Sequence, residues 1–429
     1  MKVTKKLVAL LLAVVLVFSF AACSGGKSNT EGEAGKTSAS NIKIGVILLH
    51  NETVGYDKNF IDAIEGAAKA LGIDSSQIIY KKDTPESTKC YDNAVDLAEN
   101  GRNVIFTDSF GHEPFVIKAA KEYPEVQFLH ATGQMAQIEK LDNYHTAFAR
   151  IYEARYLAGV IAGLKLNELI DAKTITADQA KIGYVGAKPY SEVISGYTSF
   201  FLGARSVCKS ATMEVTYTDS WADYAKEKEA ANKLIEDKCV LISEHADTNG
   251  SPEACEEAMK EGKIAYHVGY NIDFNNVAPT ANLVSSKVNW EPYFEYAFKC
   301  VMDGTAIDTD WCKGLDTGSA ELIGYSETNV TDAMKKTVEE TSQKIIDGSL
   351  KVFDTSTFTV SPKTLEANSI SSENYTIDED GHLLTYMADA VYDDQYTPDT
   401  QVIKDGEFSE SSVRSAPYFN VIIDGVTIK

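Results

Sequence analysis

Apolar and polar positions run along this chain in two alternating rhythms. Ile42–Leu49 (IKIGVILL) is an almost continuous apolar run, as in a strand buried on both faces. Asn59–Leu71 follows with Phe60, Ile61, Ile64, Ala67, Ala68 and Leu71 at helical spacing, and Gly72 stops it. Gln77–Tyr80 predicts a second strand. Thr88–Asn100 predicts a helix with Cys90, Ala94, Val95 and Leu97 inward and Gly101 at its end. Asn103–Phe106 is a third strand, Pro114–Tyr123 a helix halted by Pro124, and Val126–His130 a fourth strand. Strands and helices alternating at this spacing predict right-handed βαβ units in a parallel sheet.

The rhythm then restarts. Ile151–Leu169 is a long helical stretch whose Ala158, Gly159, Ala162 and Gly163 permit close packing. Strands at Lys181–Val185, Met213–Thr218, Cys239–Ser243 and Ile264–Val268 alternate with helices at Glu192–Ala204, Asp223–Glu236 and Pro252–Glu261. No run of residues repeats the first half, so this reads as a second doubly wound lobe and not a duplication. Ala281–Val288 and the helix Trp290–Met302 are expected to cross back to the first lobe. Ile345–Val360 reads as a helix end, a turn and an extended pair. From about residue 365 the chain is acidic, aromatic and irregular, and it ends in an Asp424-Gly425 turn between apolar runs. The predicted organisation is α/β, each lobe a doubly wound and mostly parallel sheet. The first lobe spans 41–146 with a return segment at about 279–304. The second spans 147–278 with a later segment at about 305–362, and 363–429 forms a small β-rich C-terminal extension.

Ahead of residue 41 the pattern differs. Lys2, Lys5 and Lys6 precede Leu7–Phe20, a run of apolar and small residues shorter than the ~20 of a comfortable membrane span. With Ala21 and Ala22 next, residues 1–22 read as a signal peptide. Phe20-Ala21-Ala22-Cys23 resembles a bacterial lipobox with Phe20 in the usual aliphatic place, which implies cleavage before Cys23 and lipidation of its thiol. Residues 23–40, rich in Gly, Ser and Thr, then form a flexible tether. The expected location is the extracytoplasmic face of the cell membrane, lipid-anchored.

Composition narrows the choices further. A chain of 429 residues, 44% of them hydrophobic, is long enough for two cores. Its formal charge of −23 makes nucleic acid and anionic lipid poor partners. Cys90, Cys208, Cys239, Cys255, Cys300 and Cys312 show no compact framework spacing, so buried free thiols are expected, with one disulfide compatible with export.

Catalytic signatures are missing. His112-Glu113 is followed by Pro114-Phe115, which breaks any HExxH, and the chain has no GxSxG, P-loop or GxGxxG after a strand. The histidines stand singly. No enzyme, cofactor or metal site is expected; an envelope hydrolase using His245 and Asp247 would lack a placed nucleophile. Polar and aromatic residues gather instead at strand ends: His50-Asn51-Glu52 and Tyr56–Phe60, Thr107–Glu113, His130–Gly133, Gly186–Tyr190, Ser220–Asp223, Glu244–Thr248 and Gly269–Asn271. Some of these residues serve as caps and turns. Ligands of open α/β sheets bind beyond the carboxyl ends of the strands, so two facing lobes would gather all these clusters around one cleft. Aromatics beside amides and carboxylates suit a planar polar ligand.

At these residues the chain resembles the basic-membrane-protein family of ABC-transporter substrate-binding lipoproteins, which includes purine nucleoside receptors. The resemblance covers roughly residues 41–360. It rests on Ile44-Gly45-Val46 leading to Tyr56-Asp57-Lys58-Asn59-Phe60, on Ala119–Phe128, on Arg155–Gly159, on Lys181–Gly186 and on Ser285-Ser286-Lys287. It implies a two-lobe periplasmic-binding-protein fold of type I-like kind, a small-molecule ligand, a membrane permease as partner and a monomeric carrier. Carried over residue by residue, it implies that Phe60 stacks on the purine and that Ser109-Phe110-Gly111-His112 supplies a second loop. Asn271 or Asp273 and then Lys287 would read the ligand. The chain departs from the family at Ile61, where an asparagine would read the base, and at Thr132-Gly133, where an Asp–Gly would hold the ribose. Stacking is therefore expected from Phe60, Phe110 and Trp221. Polar reading is expected from Asn59, His112, Thr132, His245, Asp247, Asn271 and Lys287, with Asn51, Asp57, Ser109, Gly186 and Tyr190 around them. A nucleoside, a free nucleobase, another heterocycle such as riboflavin, or a sugar-like signal all fit this set, and so does sensing without import.

Overall fold

A computed structural model describes residues 37–391 and 398–429; the signal-peptide and Cys23 expectations lie outside the described residues. The first half folds as β1 (Ile44–Ile47), α1 (Gly55–Ala70), β2 (Ile78–Lys81), α2 (Thr88–Glu99), β3 (Val104–Thr107), α3 (Glu113–Glu122), β4 (Gln127–Ala131), α4 (Ala136–Glu139) and β5 (Tyr144–Ala147). The long α5 (Ile151–Asp171) leads into β6 (Lys181–Gly186), α6 (Ser191–Val207), β7 (Thr212–Tyr217), α7 (Tyr224–Glu236), β8 (Leu241–His245), α8 (Gly250–Lys260), β9 (Tyr266–Tyr270) and β10 (Asn282–Val288). Next come α9 (Glu291–Asp303), β11 (Asp310–Trp311), β12 (Ala320–Ile323) and α10 (Asp332–Ile346). The extension holds α11 (Pro362–Ala367), β13 (Tyr375–Ile377), β14 (Leu383–Ala388), β15 (Thr400–Gln401), β16 (Ile403–Lys404), β17 (Glu407–Phe408) and β18 (Val426–Ile428).

Among the described residues the strands of the two lobes form two sheets. The first has the order β11-β5-β4-β3-β1-β2 and is parallel throughout. The second has the order β12-β10-β9-β8-β6-β7-β18, with only β12 antiparallel to its neighbour. Both are the doubly wound sheets that the alternating pattern predicts. The chain passes between them three times: after β5, between β10 and α9, and between β11 and β12. Arg150 pins the first and third passages, with Nε 2.6 Å from Glu153 Oε1 and Nη2 2.6 Å from Asp316 Oδ1. Glu153 Oε2 also accepts the Leu315 N–H at 2.8 Å.

Three details correct the sequence reading. Ala281–Val288 does not cross back: β10 pairs with β9 and β12 inside the second sheet, and the return begins at α9, which packs on α1. Its apolar run could serve either sheet, and the bonds to β9 decide between them. Strands β5, β11 and β12 escape pattern reading because two to four residues carry no period, and β5 (Tyr-His-Thr-Ala) is fully buried despite its polar residues. Its His145 is held by Gln127 Oε1 at 2.8 Å and Asp308 O at 3.1 Å. Residues 347–360 form no extended pair; they hold a short 3-10 turn at Thr355–Thr357, whose entry is capped by Asp354.

Packing explains the small residues of α5. A Cβ added at Gly159 would sit 1.9 Å from Phe200 O, and one at Gly203 2.0 Å from Tyr156 O, so α5 and α6 meet backbone to backbone. The extension shares the second lobe's apolar core: Phe419 lies 4.5 Å from Phe353 and 4.6 Å from Phe408 between ring centroids. After the Asp424-Gly425 turn, β18 adds to the outer edge of β7. The six cysteines of the described residues are free thiols, five of them buried.

Phe60 belongs to the first lobe's core, fully buried, with its ring 5.0 Å from Phe106 and 4.7 Å from Trp290. Phe60→Ala is expected to cost about 3–5 kcal/mol of stability, read as a lower midpoint in urea unfolding. A variant of unchanged midpoint would contradict this placement.

Candidate functional site

The carboxyl ends of β1, β3 and β4 face those of β6, β8 and β9, and an enclosed chamber lies between them. The first lobe supplies Leu49 and His50 after β1, Tyr56 from α1, Ser109 and Phe110 after β3, and Thr132 after β4. The second supplies Glu192 from the first turn of α6, Trp221 after β7, His245 and Asp247 from the end of β8, and Tyr270 from β9.

Two fully buried carboxylates support the first-lobe wall. Asp57 Oδ1 accepts the His50 N–H at 2.7 Å, and Oδ2 lies 3.5 Å from His50 Nδ1. The Asp57 carboxylate beside the ring raises the His50 pKa above its ordinary value. Asp108 Oδ1 accepts the Leu49 N–H at 3.0 Å, and the Tyr56 hydroxyl donates to Asp108 O at 2.9 Å. Burial, and then the charge of Asp57, push the Asp108 carboxyl well above the usual range. His112 is buried behind them, donating from Nε2 to Thr84 O at 2.9 Å, with burial lowering its pKa. Thr132 adopts a φ of +62°, uncommon for a β-branched residue. Its N–H is bonded to Ala147 O and its hydroxyl to Ala131 O.

The second-lobe wall is built on Arg155, a buried cation of α5. Its Nη1 donates to Glu244 O at 2.7 Å, and the guanidinium lies 3.8 Å from the Tyr270 ring centre. The His245 ring packs 4.8 Å from Tyr270, with Nε2 3.3 Å from Glu192 Oε1. Burial and then Arg155 press the His245 pKa down to about 4, so the imidazole is neutral near pH 7. Burial, and then Glu227, raise Asp247 well above the usual carboxylate range. Its N–H donates to Trp221 O at 3.0 Å, which ties the Trp221 loop to β8.

Aromatic rings close the chamber. Phe110 of the first lobe and Tyr190 of the second are 39% and 45% exposed, with centroids 6.2 Å apart, and Tyr190 lies 6.0 Å from Trp221. Beyond them opens a larger outer chamber of about 460 Å³, which shares Phe110, Thr132, Glu192 and Trp221 with the inner one. The extension lines it through Asp389, Arg414, Ala416, Pro417, Tyr418 and Asn420.

Of the residues expected from sequence, Ser109, Phe110, Thr132, Trp221, His245 and Asp247 line the inner chamber and Tyr190 the outer. The others stand elsewhere, each for a structural reason. Phe60 is core. Asn59 donates to Val288 O at 2.7 Å, joining α1 to the end of β10. Asn51 donates to Asp83 Oδ1 at 2.8 Å and shapes its own loop. Asp57 and His112 lie behind His50. Gly186 admits no Cβ beside the Tyr217 ring, 2.9 Å away. Asn271, at φ +63°, accepts the Val288 N–H, and Lys287 Nζ lies 3.5 Å from Glu321 on β12. Sequence reasoning missed Leu49, His50, Tyr56, Glu192 and Tyr270 as lining residues. Most stand inside or beside the strand-end clusters, so the cluster was visible but the inward-facing member was not.

Two doubly wound lobes joined by three passages, with a chamber between their strand ends, define a solute-binding protein of the periplasmic-binding-protein fold. The family model described as ABC transporter substrate-binding protein PnrA-like (Bmp) matches residues 54–355. The chain belongs to this family. It is 32% identical over 313 residues to a purine-binding protein of Brucella abortus, covering 73% of this chain and 83% of that one. It is 31% identical over 262 residues to a Haloferax volcanii protein designated an ABC transporter glucose-binding protein, covering 61% of each. An ABC transporter solute-binding protein structure from Aeropyrum pernix superposes with a TM-score of 0.62 at 19% identity, covering 76% of this chain and 96% of that one. Among the described residues no helix is long and apolar enough to cross a membrane.

Glu410 links the extension to α6 of the second lobe. It is fully buried, accepts the Ser195 hydroxyl at 2.6 Å, and burial pushes its pKa up to about 7 from an ordinary value near 4.5. The folded state therefore holds this proton more tightly than the unfolded chain. Its contribution is greatest below pH ~4.5, falls as pH rises to ~7, and is constant above. Wild type should lose up to about 3 kcal/mol relative to Glu410→Gln across that window, measured by denaturation at pH 4.5, 6 and 8. Parallel pH curves for the two proteins would show that Glu410 titrates normally.

Proposed function

We propose that this protein is an extracytoplasmic lipoprotein of an ABC importer that binds a purine nucleoside or nucleobase between its lobes and delivers it to the permease. The observation that carries the reading is the convergence of aromatic side chains from both lobes on one chamber, with Tyr56 and Phe110 on one side and Trp221 and Tyr270 on the other. A flat ring gains stacking there, while His50, Thr132, His245 and Asp247 offer edge contacts. The purine-binding relative supports the same ligand class. Glu192 and Asp247 at the chamber and Arg414 set among the carboxylates of Glu113, Asp310 and Glu410 favour an uncharged ligand over a phosphorylated one. The protein makes and breaks no bond; the lobes close on the ligand by a hinge motion, and the permease recognises the closed form. Lipid on Cys23 keeps the carrier beside its transporter.

Guanosine, inosine or adenine is expected to raise the thermal midpoint of the full chain, and the matching 5′-monophosphates much less. Stabilisation by flavins or sugars and by no purine would sink the assignment. Phe110→Ala and Trp221→Ala should each weaken ligand binding by about 1–3 kcal/mol in calorimetric titration. Cys23→Ser should move the protein from the membrane fraction to the soluble extracytoplasmic fraction; unchanged membrane partition would rule out the lipid anchor.

A further inference from the structure

We propose that the C-terminal extension is part of the ligand site, walling a subsite for a polyhydroxylated substituent, such as a ribosyl group, that projects from the ring held between the lobes. This rests on the purine reading above and assigns the extension a role in it.

As the lobes stand, the inner chamber measures about 30 Å³, room for about two waters, while the outer measures about 460 Å³. Small-molecule sites ordinarily run to ~300–1,000 Å³, so the outer chamber is the part already built to ligand size. The two share Phe110, Thr132, Glu192 and Trp221, so a ring admitted to the inner space by displacement of the exposed Phe110 and Tyr190 rings must point its substituent outward.

The wall chemistry differs on the two sides of this neck. Outside it, Gln134, Ser191, Glu192 and Asn420 mix amide, hydroxyl and carboxylate groups with the faces of Tyr190 and Trp221. Carboxylates and amides accept and donate to vicinal hydroxyls, and the C–H face of a sugar ring packs on an aromatic. The extension holds its wall in register with both lobes. Ser415 N–H donates to Asp310 Oδ2 at 2.7 Å and Gln137 Nε2 to Val413 O at 2.9 Å on the first-lobe side, while Ser195 donates to Glu410 on the second. The residues that form it lie beyond the 54–355 span matched by the family.

Calorimetric titration of the full chain with guanosine against guanine, and adenosine against adenine, tests this. Wild type should bind each nucleoside at least tenfold more tightly than its base. Ala416→Phe, which puts a ring into the outer chamber, should bring that ratio below about two, and Asn420→Ala, at an exposed position, should lower it partway. As a check that needs no variant, hydrogen exchange should show nucleoside, but not base, protecting the amides of Ser415, Ala416, Tyr418, Phe419 and Asn420. Purine binding with a ratio unaltered in both variants and no such protection would overturn the subsite alone. A wild type that binds neither base nor nucleoside would overturn the purine reading and the ribosyl assignment with it.

Discussion

Taking a guanidinium out of water costs several kcal/mol unless its donors are used and its face is covered. Arg155 meets part of that demand inside the second lobe, one nitrogen donating to Glu244 O and the guanidinium face lying on the Tyr270 ring, and the ligand-facing end of the lobe is arranged around it. The contact orients Tyr270 toward the chamber. The same cation, with burial, keeps His245 neutral, which leaves an imidazole able to donate from one nitrogen and accept at the other. Remove the guanidinium, and a ring that lines the chamber and the electronic state of its neighbour change together.

The first lobe solves the matching problem with acids. Asp57 and Asp108 are withdrawn from solvent close to each other, and a raised Asp108 pKa avoids two adjacent buried negative charges. Their oxygens fix the backbone N–H groups of Leu49 and His50, so the loop after β1 presents its side chains in one conformation. This loop is ordered before the ligand arrives, and such preorganisation limits the ordering cost of binding.

Opening has to work against the tie made by the extension. On the first-lobe side that tie includes the bonds of Ser415 to Asp310 and Gln137 to Val413, each worth about 1 kcal/mol net. Micromolar binding releases about 8 kcal/mol, so such a tie biases the lobes toward closure without locking them. The Arg150–Glu153–Asp316 cluster meanwhile ties two of the three passages to each other.

Periodicity in the sequence determined the alternating strands and helices, the two lobes and the strand ends at which a cleft must lie. Each of these follows from local burial patterns and from the connection rules of parallel sheets. Even the glycines of α5 announced a close helix contact. Which member of a strand-end cluster faces the cleft was decided only by tertiary structure. Phe60 and Phe110 are chemically the same residue, yet one fills the gap between Phe106 and Trp290 and the other stands at the cleft mouth. Asn59, Asn271 and Lys287 carry polar groups suited to a ligand, but the backbone of β10 and the carboxylate of Glu321 take them first. The strands β5 and β11 and the outer wall at residues 414–420 arise from contacts between segments far apart in the chain, and no local pattern encodes such a pairing.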